Sequence, residues 1–242
     1  MNLNKKIFPP FLAVISIIYS MLACHYEESR SSLPLKNNTY RMNTSSILES
    51  ILQGRYDLFI PVDSPSEEEA FQSDLVNWNQ EDYITVANSI HKFVWDEPLN
   101  NWMLNSMDFS GSCHDIENGL QDVYFVFYNI LDSEDGKSRI VHNINIDPAR
   151  SEVNVWAEKY SPLVMNWKAI DLGETKITAD DALQIAEDNG GIEIRNSVNN
   201  ECNVSVSFLP NPGDYDGWKL SYYQNPGTLL EVKVDPKTGE YR

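Results

Sequence analysis

The side chains with the reactivity to do chemistry are three cysteines, four histidines and a large set of carboxylates. Cys113 and His114 are neighbours, with Asp115 next, in a loop bounded by Gly111 and Gly119. A thiol beside an imidazole is the outline of a nucleophile and its base. Sequence neighbours rarely point at one another, however, and a working Cys–His pair is normally assembled from distant parts of a chain. The stretch therefore reads as a surface loop. Only a pocket that brought Cys113 to His91 or His142 would make it an enzyme site. The sequence contains no Gly-x-Ser-x-Gly elbow, phosphate loop or dinucleotide fingerprint. His25, His91, His114 and His142 lack the spacing of a ligand set. His142 shares an alternating face with Ile140, Ile144 and Ile146, so it reads as a core or edge histidine. Asp214-Tyr215-Asp216-Gly217 begins like a calcium loop, lacks the closing acidic ligand, and reads as a hairpin turn. These residues predict a protein that is not an enzyme and carries no metal and no cofactor.

The 36 acidic side chains against 18 basic ones give a formal charge of −18, which excludes nucleic acid as a partner because phosphate would be repelled. At 42% apolar, the chain is also too hydrophobic for a disordered acidic tail. Acidic runs such as Glu67–Glu69 and Asp132–Asp135 read as solvated faces that would also attract a basic partner. Trp95, Trp102, Trp156 and Trp218 lie near the ends of the expected helices and strands. Those left exposed would mark a binding surface.

Lys5 and Lys6 precede an uncharged apolar run, Ile7–Ala23, interrupted early by Pro9 and Pro10. This order is that of an export signal. Its end, Met21-Leu22-Ala23-Cys24, resembles a bacterial lipobox, in which the cysteine receives diacylglycerol. Residues 1–23 are thus expected to be a lipoprotein signal peptide, and Cys24 the lipid attachment site. The protein would be extracytoplasmic and lipid-anchored to a bacterial membrane. Acyl chains rather than charge would hold so acidic a surface to lipid. Residues 24–44 are polar and read as a flexible tether.

The chain also resembles itself. Thr178-Ala179-Asp180-Asp181-Ala182 aligns with Asn79-Gln80-Glu81-Asp82-Tyr83 at a shift of 99 residues. Thr178 and Asn79 are both good N-caps, and Asp181 and Asp82 complete a capping box at the third helical position. Apolar residues follow at helical spacing. Beyond each helix come period-two runs, such as Val204, Val206 and Phe208, separated by Gly-rich and Pro-rich turns. Ile146-Asp147-Pro148 to Glu152 aligns with Val234-Asp235-Pro236 to Glu240 at a shift of 88. The pattern predicts a duplication.

The repeated unit resembles the PepSY family of extracytoplasmic domains, known from the propeptides of thermolysin-like peptidases. The likeness rests on Ile177-Thr178-x-x-x-Ala182-x-x-x-Ala186 and on Val234-Asp235-x-x-Thr238-Gly239-Glu240. It covers 177–242 well and 78–156 loosely, since Tyr83 and Ser151 replace the family's alanine and glycine. The resemblance implies an α+β fold of two tandem repeats, each a helix packed on a small antiparallel sheet. The expected order is an N-terminal helical extension (45–77), a first repeat (78–160), a packed linker (161–176) and a second repeat (177–242). If Cys24 is acylated, Cys113 and Cys202 remain as an even pair, and a bridge between them would tie repeat to repeat. Spacing alone does not bring their Cα atoms together. The function implied is a non-catalytic module that binds a protein or peptide of the envelope. The alternative is an inhibitor or folding modulator of a secreted peptidase.

Overall fold

The computed structural model describes residues 38–55, 58–62, 76–97, 99–133, 136–160, 167–209 and 217–242. The signal segment, Cys24, the acidic run Glu67–Glu69 and the turn residues 211–216 lie outside the described residues.

Two short strands, β1 (Asn38–Arg41) and β2 (Ile60–Pro61), flank the short helix α1 (Ile47–Leu52). The end of the expected tether is therefore not a tether: β1 is hydrogen-bonded into the sheet, with Tyr40 and Met42 buried. Four polar-to-mixed residues are too few to declare a strand by alternation.

Asn79 then starts helix α2 (Gln80–Trp95). Its Oδ1 accepts from the N–H groups of Glu81 (2.8 Å) and Asp82 (3.0 Å), and Asp82 accepts from the N–H of Asn79 (3.0 Å). This satisfies backbone donors that the first helical turn otherwise leaves unpaired. Asp96, in the left-handed conformation (φ 54°), closes the helix. Strands β3 (Met103–Ser112), β4 (Asp122–Ser133), β5 (Gly136–Asp147) and β6 (Glu152–Tyr160) follow.

Thr178 caps α3 (Ala179–Ala186) with the same reciprocal bonding to Asp181. Gly190 and Gly191 are expected to end this helix. Instead the chain makes a wide turn over Glu187–Gly191, kinked at Gly190 (φ 112°), and resumes as α4 (Ile192–Ser197). Buried Glu187 holds the kink: it accepts from Arg195 Nε (2.7 Å) on α4 and from the Tyr222 hydroxyl (2.6 Å). Strands β7 (Asn203–Leu209), β8 (Gly217–Gln224) and β9 (Gly227–Val234) complete the chain.

Among the described residues, nine strands form one antiparallel sheet in the order β2-β1-β6-β5-β4-β3-β7-β8-β9. This overturns the expectation of two tandem repeats, each with its own small sheet. The finding that decides it is the β3–β7 pairing, which runs from Met107 opposite Phe208 to Ser112 opposite Asn203. Two separate sheets would each expose an edge of unpaired N–H and C=O groups there; pairing the edges removes both. The 161–176 segment accordingly joins parts of one sheet. Its Ile170 is buried, and the N–H of Ile170 donates to Leu104 O at 2.8 Å.

Register assigns the two faces. Val153, Ile146, Val123, Phe109, Val206, Leu220 and Val232 lie side by side across seven strands, and all are buried. One residue along, Thr39, Asn154, Asn145, Tyr124, Asp108, Ser207, Lys219 and Lys233 form an adjacent row. Successive strand residues point to opposite sides, so the first row belongs to the core and the second to the other face. Tyr83 of α2 meets Phe109, and α3 packs on β7, β8 and β9, so the helices cover the apolar face.

Candidate functional site

The face that no described helix covers carries the side chains available for recognition. Trp156 on β6 stacks on Tyr124 of β4 (5.5 Å between centroids, 14° between planes), and both are half-buried. The Tyr124 hydroxyl donates to Asn143 Oδ1 at 2.6 Å, which fixes the ring. Beside this pair, Asn145 donates to Asp122 and Thr39 donates to Asn154 (2.7 Å). The Ser207 hydroxyl donates to Asp108 where β3 meets β7. Burial pushes the Asp108 carboxyl above the usual range, against the lowering effect of Ser207. Burial also raises Asp147, with Asp122 adding repulsion. Arg150 Nε lies 3.4 Å from Asp147 Oδ2 and partly offsets this rise.

Three of the four tryptophans expected to mark a binding surface do not reach it. Trp218 is fully buried, and its Nε1 donates to Ile177 O at 2.8 Å. Trp95 and Trp102 are each only 8% exposed. Nearness to an element's end does not decide which face a side chain takes, and these three turn inward. Trp156 alone of the four lies on the open face.

Trp95 and Trp102 instead enclose His142, which stacks 3.9 Å from each ring centroid at 10° and 22°. His142 Nδ1 lies 2.9 Å from His91 Nε2, and His91 Nδ1 lies 2.9 Å from the carbonyl oxygen of Glu97. Both imidazoles are fully buried. A carbonyl only accepts, so His91 carries its proton on Nδ1. Its Nε2 then accepts from the Nδ1–H of His142. This leaves a bare lone pair on His142 Nε2, without a hydrogen-bond partner among the described residues. Burial lowers the His91 pKa, and burial together with the charge of His91 pushes His142 down to about 3. The inward placement of His142 follows from its alternation with Ile140, Ile144 and Ile146. Its meeting with His91 has no local signature.

No family model matches the chain, and no curated protein or solved structure is significantly similar to it. The site therefore has to be read from its own geometry.

Cys113 and Cys202 are joined by a disulfide, with Cα atoms 5.3 Å apart. The link lies just beyond the β3–β7 pairing, where Cys113 N–H also donates to Cys202 O at 2.9 Å. A sulfur held in a disulfide supplies no thiolate, so Cys113 and His114 do not form the nucleophile and base considered above. Among the described residues no three histidine, cysteine or carboxylate side chains converge on a metal position. Two surface grooves, of about 340 Å³ beside Pro236 and about 430 Å³ beside α1, contain no histidine or cysteine. Among the described residues no helix is long and apolar enough to cross a membrane.

Proposed function

We propose that this protein is a non-catalytic, extracytoplasmic binding module, lipid-anchored through Cys24, that presents the polar face of its sheet to a protein partner. The carrying observation is the Tyr124–Trp156 stack, half-buried on a polar face and bordered by the carboxylates of Asp108, Asp122 and Asp147. Such a patch suits a partner with lysine or arginine at its contact, because aromatic faces and carboxylates both attract cations. The Cys113–Cys202 disulfide supports a location outside the cytoplasm, where such bonds persist. A Cβ on Gly239 would lie 3.4 Å from the side chains of Ile177 and Ile185, so the residues around Ile177 and Gly239 pack together.

Capture of interacting proteins from the native envelope, with the full chain as bait, tests the reading. The wild type is expected to enrich an envelope or secreted protein, and Tyr124→Ser/Trp156→Ser to lose it. Equal capture by the variant would move the contact elsewhere. If the captured protein is a peptidase that the wild type inhibits, the modulator role holds. Cys24→Ala is expected to shift the protein out of the membrane fraction, and unchanged retention would exclude acylation as the anchor.

A further inference from the structure

The His91–His142 pair is built so that no protonated form fits it. In the neutral pair the donors run one way, from His142 Nδ1 to His91 Nε2 and from His91 Nδ1 to the Glu97 carbonyl. A proton added at His91 Nε2 would set two N–H groups against each other at 2.9 Å. A proton added at His142 Nε2 would create a buried N–H with no acceptor among the described residues. Two protons would place like charges on touching rings. Buried charge and unmatched donors are both costly.

The surroundings supply little relief. From α2 come His91 and Trp95; from the turn after it come Glu97 and Trp102. Phe127 of β4 and Ala157 of β6 flank His142 in register and are apolar. The charged group facing the pair is Glu97, and its carboxylate is engaged by Trp102 Nε1 at 3.0 Å. Indole faces attract a cation, which moves the proton's entry toward neutrality without providing the missing acceptor.

We propose that this cluster is an acid-operated latch. At neutral pH the stacked rings pin the turn that carries Glu97 and Trp102, and the end of α2, to β5. On acidification, protonation of the imidazole pair unseats the Trp95–His142–Trp102 stack and frees that turn while the β7–β9 half of the sheet stays folded. Burial keeps both rings neutral in the closed fold, His142 down to about 3, whereas a freed His142 would take its proton nearer 6.5, so acid favours the open turn.

Amide hydrogen exchange of the full chain, normalised for intrinsic rate, tests this at about pH 7.5 and about pH 4.5. Protection of the Asp96 and Trp102 amides, which donate to Lys92 O and Leu99 O, is expected to fall at least about tenfold at the lower pH, with β8 amides unchanged. Unchanged protection of the turn, or equal loss across the sheet, would overturn the latch. His91→Gln/His142→Gln, which leaves neither ring to titrate, is expected to abolish the pH dependence wherever β8 remains protected. Should that variant fail to fold, nitrogen-15 spectra of labelled histidines in the wild type decide the matter. His91 or His142 must gain its proton over the same pH range in which the turn opens. If both stay neutral throughout, the latch is wrong.

Discussion

Gln80 and Ala179, 99 residues apart, meet at the starts of α2 and α3. The Ala179 N–H donates to Gln80 Oε1 at 2.8 Å. In return, the Gln80 N–H donates to the carboxylate of Asp180, the residue after Ala179, at 3.0 Å. Both helices thus satisfy an otherwise unpaired first-turn donor with a side chain of the other. Gln80 is buried, so Gln80→Leu strands the Ala179 N–H without solvent. A loss of about 1–3 kcal/mol is expected in equilibrium denaturation. Unaltered stability would mean that water replaces the bond.

The disulfide closes a segment of 89 residues across the β3–β7 pairing. Removing it with Cys113→Ala/Cys202→Ala should cost about 2–4 kcal/mol, chiefly by enlarging the unfolded ensemble. A denaturant titration with and without reductant checks this. The wild type is expected to shift under reduction and the double variant to be indifferent.

Gly191 is fixed by close approach rather than by backbone conformation. A Cβ there would sit 2.5 Å from Tyr222 Oη and 2.9 Å from Ala186 O. Gly191→Ala must therefore push the Tyr222 ring from Glu187 or open the kink between α3 and α4. Overpacking of this kind costs about 1–3 kcal/mol. Thermal unfolding of the variant reads it, and an unchanged melting temperature would refute the contact.

Acid acts on this fold with two opposite signs. His142 is held near 3 in the fold against 6.5 when free, so the unfolded chain takes up the proton first. Its contribution to stability is complete above 6.5 and is lost as pH falls toward 3. Asp108 runs the other way. Its folded pKa is raised, so its carboxylate weakens the fold as pH rises through that value. Asp108→Asn keeps an acceptor for Ser207 and removes the charge. It should raise the denaturation midpoint at about pH 7 and leave it unchanged near pH 3. A lower midpoint at pH 7 would show that the charge strengthens the Ser207 bond by more than its burial costs.

The parts of this fold that were legible are those written in local spacing. The Asn79 and Thr178 caps needed only a carboxylate three residues on, and alternation disclosed strands such as Val204–Phe208. Which strands pair is not local information. Nothing near Met107 or Phe208 says that they lie opposite each other, so the single sheet was hidden and two smaller ones were expected. β2 is two residues long and carries no period at all. The site was legible in part: alternation turned His142 inward, and Trp156 followed its strand outward. The burial of Trp95 and Trp102 is not local information, because it depends on His142, which follows them by 47 and 40 residues and lies on β5.

The breadth of the sheet has a consequence for anything that docks on it. Neighbouring strands rotate by about 20–25° each. Across the six steps from β6 to β9 the rotation accumulates to on the order of 120° or more. Trp156 on β6 and Lys233 on β9 are therefore expected to look out along very different directions, although they belong to the same surface. A rigid partner seated flat on the aromatic end would not touch the lysines of β8 and β9. One molecule can engage both only by curling around the sheet, and two small ones can sit there without colliding.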